Sequence, residues 1–327
     1  MDNFYQIISL LADFTDPRKR IFVGYLFLSL FIAFLWLILF KKTTISIALS
    51  KVFDPKVFFS KSARADYKIF IINRIFSLFI SPLLVTQIAI ATAIYFLLHR
   101  QDFIQSGYFN DTKIGTVVFL FTVFMFIIDD LTKYLMHRWM HQFHFLWAIH
   151  KVHHSAETLT PLTVYRVHPL EGILYSFRGA ISQGIAISLF VFLFGNLVDL
   201  YTIVGVNVLV FIFHITGSNL RHSHITISYW PWLERFLISP AQHQLHHSIA
   251  EEHYDKNYGA ALAVWDWMFG SLHLSEENKK LKFGLMQHEA SSTNLVDIYI
   301  RPFKDIAKII TKQFGRARKL TNWVFGN

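Results

Sequence analysis

Eight histidines fall in three tight clusters, and their spacing is that of metal ligands: His137 and His141; His150, His153 and His154; His243, His246 and His247. On a helix, residues four apart share a face, so His137 and His141 can reach one ion. The same holds within each of the other two clusters. Three clusters converging on one point would supply about eight imidazoles, and an ion such as zinc takes about four ligands, so the set suggests two metals. Imidazole suits iron, zinc, copper and nickel. The chain has no cysteine, which excludes thiolate sites and iron–sulfur clusters. Protonated imidazoles repel one another, so buried neighbours need a metal, a shared proton or neutrality.

Positioning such a site falls to elements of unusual composition. Of 327 residues, 53% are hydrophobic and 34 are Phe, with mean hydropathy +0.37. Charged residues are 16%, against about 25% in soluble domains. The fold expected is all-α: a polytopic membrane bundle of four to five helices, one possibly a re-entrant hairpin, with a cytoplasmic histidine-rich cap. The net charge of +9 accompanies no nucleic-acid-binding module. It suits cationic loops beside apolar spans and attraction to anionic lipid.

The first apolar run, Ile21–Phe40, is long enough to span the hydrocarbon core and reads as a retained membrane helix rather than a cleaved signal. Lys41–Arg74 carries eight basic and two acidic residues and is expected in the cytoplasm. A second span is expected from about Ile75 to Leu98, kinked near Pro82. A third, about Ile114–Leu135, returns to the cytoplasmic face and delivers His137 and His141 just past its end. Ile181–Phe194 and Leu197–Phe213, separated by Gly195-Asn196, are each short for a full span and read as a hairpin or re-entrant pair. Such a pair leaves and returns on one side, which puts all three clusters on one face. About Ile298–Lys319 reads as a basic amphipathic helix on anionic lipid. The organisation expected is membrane helices and a cytoplasmic loop over 1–113, a catalytic domain over 114–275, and a basic tail over 276–327.

At these residues the chain resembles the fatty acid hydroxylase/sterol desaturase superfamily of integral-membrane di-iron enzymes, which carries HxxxH, HxxHH and a final HxxHH in that order. Around the boxes, Asp130 to Arg138 is similar to the family's lead-in, Arg166 to Glu171 to its RxHPLE segment, and Tyr254–Gly259 with Trp265–Gly270 to its closing signature. The resemblance covers roughly residues 114–275. It implies two iron ions, with zinc as an alternative or substitute, and O2-dependent hydroxylation or desaturation of a membrane lipid: a sterol, fatty acyl chain, sphingolipid or alkylglycerol. It further implies a further ligand from the segment before the last box, for which His222 is preferred over His214 and His224, while His168 is either a ligand or a hydrogen-bond donor behind one. Partners for the rings' second nitrogens are expected among Asp130, Glu171, Asp255 and Asp266. No flavin, nicotinamide or haem module is visible, so electrons are expected from an external donor, a reductase, a ferredoxin-type protein or a reduced pterin.

Two other readings stay open. A zinc-dependent membrane hydrolase would use metal-activated water and call for a carboxylate ligand, which the boxes lack. A non-catalytic lipid-binding or scaffold protein would tolerate decayed boxes, and these are intact.

Overall fold

Buried residues recur every fourth position along the first long helix, which sets its inner face. The computed structural model describes residues 13–17, 19–80, 87–102, 104–198, 208–213, 218–276, 279–286 and 293–325. In α1 (Val23–Leu39) the inner stripe is Tyr25, Ser29, Ala33 and Leu37, while Phe27 and Phe31 point outward. α2 (Ile45–Val52) packs Ala48 and Val52 on Ala33 and Leu37, and Leu220, Ile225 and Ile227 complete that cluster. The segment carrying His222 is therefore seated on α1 and α2.

α3 (Lys61–Ile80) begins within the stretch read from its charge as a loop, and residues 81–86 around Pro82 lie outside the described residues. The expected second span is thus divided between the end of α3 and α4 (Gln87–His99). α5 (Ile114–Gln142) does not stop at Leu135; it continues for two further turns, so His137 and His141 ride on the helix itself. α6 (His144–His154) follows after a one-residue break. α7 runs from Pro169 to Phe194, about twice the length its apolar run indicates. Hydropathy misses its first half because polar residues there, Glu171 and Arg178 among them, face protein partners rather than lipid. The second half of the expected hairpin is described only as a short helix, Val208–Phe213. The last box lies on α8 (Pro240–His246), and the basic tail forms α9 (Leu295–Phe325). Among the described residues there is no strand, only two isolated bridges.

α5 and α7 are long and apolar enough to cross a membrane. They share a core of Val117, Phe121, Ala186, Phe190 and Phe194. α4 lies on α7 at Gly184, where an added Cβ would come within 2.7 Å of Ile90 Cγ2 and 3.2 Å of the Ala91 nitrogen. Ser188 Oγ donates to the Ala91 carbonyl at 2.5 Å. Small residues are what allow helices to approach this closely in lipid, where apolar burial alone does not drive association. At one end of the pair, Gly107 and Phe109 nitrogens donate to the Phe192 and Leu193 carbonyls. At the other end lie the C-terminus of α5 and the N-terminus of α7, and the histidines gather there.

Candidate metal centre

The histidines divide into two groups, and the division follows helix geometry. One group comprises His137, His141, His150, His154 and His246; the other comprises His153, His222, His243 and His247. Within each, one ligand nitrogen per ring lies within 4.8 Å of all the others. On α6, His150 and His154 are four apart and turn to the first group, while His153 turns to the second. On α8 and its cap the roles exchange: His243 and His247 turn to the second group and His246 to the first. Each HxxHH box thus spans both groups, and the His137/His141 pair serves one.

Hydrogen bonds set the tautomers of three rings in the first group. A carbonyl oxygen only accepts, so a ring nitrogen facing one must carry the proton. His137 Nδ1 donates to the Tyr258 carbonyl and His246 Nδ1 to that of Lys256, both at 2.8 Å. His150 Nδ1 donates to Glu171 Oε1 at 2.9 Å, with both side chains buried. Their Nε2 atoms then carry lone pairs. The buried Nε2 atoms of His141, His150, His154 and His246 have no partner among the described residues. Buried polar atoms without partners are uncommon and call for an explanation.

In the second group the Nε2 atoms of His153, His243 and His247 surround that of His222 at 3.1, 3.0 and 3.2 Å. One ring nitrogen offers either one proton or one lone pair, so three such contacts cannot all be hydrogen bonds. A cation at the centre of each group resolves both, and the donor set fits two metal ions, one five-ligand and one four-ligand. Neutral rings suit that role. Burial, followed by the charge of neighbouring rings, holds His154 and His247 well below the usual histidine range, and burial pulls His246 down to about 3.

Nine of the ten expected ligands are brought together, and His168 is not. It caps α7 instead: its Nδ1 accepts from the Leu170 nitrogen, and its Nε2 meets the Tyr299 carbonyl on α9 at 3.1 Å. With both nitrogens engaged it has none for a metal. His224 bonds the Lys51 carbonyl through Nε2 at 2.7 Å, apart from both groups; His214 lies outside the described residues.

Of the four expected carboxylates, only Glu171 touches a ligand ring. Asp130 accepts from the Ala261 and Leu262 nitrogens and from Trp265 Nε1 at 2.8–3.1 Å. Asp266 accepts from the Tyr258 and Gly259 nitrogens and Ser271 Oγ at 2.6–2.8 Å. Asp255 accepts from the Tyr258 hydroxyl at 2.7 Å. All three clamp the loop whose Tyr258 carbonyl orients His137, so they act through backbone rather than on a ring. Gly259 is required there, since a Cβ would lie 2.6 Å from the Leu262 carbonyl.

Further positioning groups carry no signal in the boxes. Gln244 Nε2 donates to the Ser223 and Ile225 carbonyls at 2.9 and 3.1 Å, tying the His222 segment to α8. Ser239 and Gln242 form a reciprocal cap that starts α8. Arg166 and Asp66, both fully buried, pair at 2.5 Å, and Arg166 Nη1 donates to Ser155 Oγ just beyond His154. This pair locks α3 against the end of α6.

Two cavities meet the histidines. One, of about 420 Å³, includes His153, His222 and His243 with Phe126, Val164 and Tyr175 in its wall. The other, of about 450 Å³, is lined by His141, His154, Trp147 and the 284–286 segment.

A family model described as fatty acid hydroxylase matches residues 122–271. Alkylglycerol monooxygenase of Danio rerio is 28% identical over 160 residues, 49% of this chain and 32% of that protein. A Delta(7)-sterol 5(6)-desaturase of Gibberella zeae is 29% identical over 46% of this chain and 41% of its own length. Ornithine lipid hydroxylase OlsE of Rhizobium tropici is 27% identical over 45% and 40%. The similarity thus spans less than half of each of these relatives. No solved structure matches the chain.

Proposed function

This chain belongs to the fatty acid hydroxylase/sterol desaturase superfamily, and from that premise we propose that it is an iron-dependent membrane oxygenase that hydroxylates or desaturates a lipid with O2. The observation that carries the proposal is the pair of histidine groups: in one, four buried Nε2 atoms lack partners among the described residues, and in the other, three Nε2 atoms crowd that of His222. The first ion would be held by His137, His141, His150, His154 and His246, and the second by His153, His222, His243 and His247. Bound iron supplies the redox chemistry that O2 activation and attack on an unactivated C–H bond require.

What the chain's own residues contribute is orientation and shelter. Tyr258, Lys256 and Glu171 fix three rings with lone pairs inward, which pre-organises the donors. The cavity of about 420 Å³ would admit part of a lipid between α5 and α7, its apolar wall excluding water from the reacting carbon. Alkylglycerol, sterol and ornithine lipid, the classes named for the relatives, define the substrates to screen. Electrons would come from an external donor, and the second cavity is the free approach to the ligands.

The topology that serves this chemistry is multi-pass, with α1, the end of α3 with α4, α5 and α7 membrane-embedded and the metal centre on the cytoplasmic face. The cationic segment between α1 and α3 supports that orientation. The test is metal analysis and Mössbauer spectroscopy on protein purified from iron-57 medium, followed by turnover of the three lipid classes under O2. About two irons per chain with a coupled signal, lost in His153→Ala and His246→Ala proteins that still insert, is the expected result. Full turnover by either variant, or zinc alone after iron-replete anaerobic preparation, would overturn it.

A further inference from the structure

Two guanidinium groups line the same cavity as His222 and His243, and neither forms a salt bridge with a carboxylate among the described residues; Asp130 acts on Arg221 through its charge alone. Arg221, 7% exposed, donates from Nη1 to the Ala260 carbonyl, and its guanidinium lies 4.9 Å over the Phe213 ring. Its buried Nε has no acceptor among the described residues. Arg20 donates from Nε to Asn219 Oδ1 at 3.1 Å and from Nη2 to the Ser218 carbonyl, with Nη2 also 3.4 Å from His222 Nδ1. Every one of these partners is neutral.

The carboxylates of the cavity wall are committed elsewhere. Asp129 holds Lys133 at 2.6 Å and Arg178 at 2.9 Å. Asp130 takes three N–H groups of the 261–265 loop, and Glu171 takes His150. Two buried like charges with unspent donors are unfavourable unless an anion joins them. A planar fork of N–H groups recognises carboxylate and phosphate oxygens in particular.

We propose that Arg221, supported by Arg20, is an anion-recognising subsite of the lipid cavity, so that the lipid taken carries a carboxylate or phosphate group and places it beside the His222–His243 side of the metal centre. The inference rests on the reading of this cavity as the lipid site. It puts the oxidised carbon near the head of the lipid rather than at its far end.

The test is equilibrium binding to metal-loaded protein in non-ionic detergent, using dodecanoate, lauroyl lysophosphatidate and neutral monolauroylglycerol, with inorganic phosphate as a fourth arm. At least one anionic lipid should bind about tenfold more tightly than the glyceride, the scale of one charge-assisted hydrogen bond. Arg221→Gln should remove the preference, read as the ratio of anionic to neutral affinity within the variant, and Arg221→Lys should retain most of it. Equal affinities in the wild type, or a preference that survives Arg221→Gln, would overturn the subsite while leaving the lipid cavity standing. Phosphate binding as tightly as lysophosphatidate would assign the subsite to a free anion and sink the headgroup assignment. No binding by any of the three lipids would sink the cavity reading and this inference with it.

Discussion

Replacing Glu171 by Ala should cost one of the two metals. The His150–Glu171 contact is 2.9 Å long between side chains 3% and 4% exposed. A buried N–H left without an acceptor costs about 1–3 kcal/mol, or about ten- to hundredfold in affinity. That is the range found when the partner orienting a ligand is removed. His150 belongs to the five-histidine group only, so the loss should fall on one ion and spare the other. The assay is metal content per chain during titration with a chelator. One equivalent should leave Glu171→Ala at about ten- to hundredfold lower chelator concentration than wild type, while the second stays. Glu171→Gln, whose amide oxygen can still accept from His150, should fall between the two. Glu171 also lies in the first turn of α7, where a carboxylate stabilises the helix end by about 0.3–1 kcal/mol; a melting curve separates that effect, since it would not change metal stoichiometry. Two equivalents retained at wild-type chelator resistance would refute the reasoning.

Arg166→Ala should destabilise the fold by about 3–5 kcal/mol, because it strands the fully buried Asp66 carboxylate; thermal unfolding in detergent reads this, and Arg166→Lys should rescue little, since it cannot reproduce the bonds to Asp66, Ser155 and Ser62 together. Gly184→Val should cost about 1–3 kcal/mol by forcing α4 away from α7, again seen as a lower melting temperature, with metal content per folded chain unchanged. Removing the metals with a chelator should lower the melting temperature reversibly, since ions bound only by the folded chain stabilise it; an unchanged melting temperature in protein shown to be metal-free would argue that the histidine groups hold themselves together.

The clustering of the histidines was legible because their spacing is a statement about helix faces. In an HxxHH box the first and last rings lie about 40° apart around the helix, while the middle one lies about 60° from the first and about 100° from the last, and here it turns to the other group. Two such boxes packed across a gap, as α6 and α8 are, divide their rings between two groups, and His137 and His141 with His222 complete them. Sequence spacing could therefore suggest two metals and name the boxes. It could not tell which ring goes to which ion, since that depends on how α6 and α8 face one another. His168 shows the limit from the other side. Its place before Pro169 is equally that of a helix cap, and the Tyr299 carbonyl that occupies its second nitrogen comes from α9, 131 residues away. The carboxylates misled for a related reason. Asp130 and Asp266 are buried where an ionisable group is costly, which marked them as having a task, but two of the three donors to each are backbone N–H groups, which no side-chain pattern reveals. Hydropathy likewise found the apolar half of α7 and missed the half that bears Glu171 and Arg178, because polar residues that face protein within a membrane bundle look, in sequence, like residues that face water.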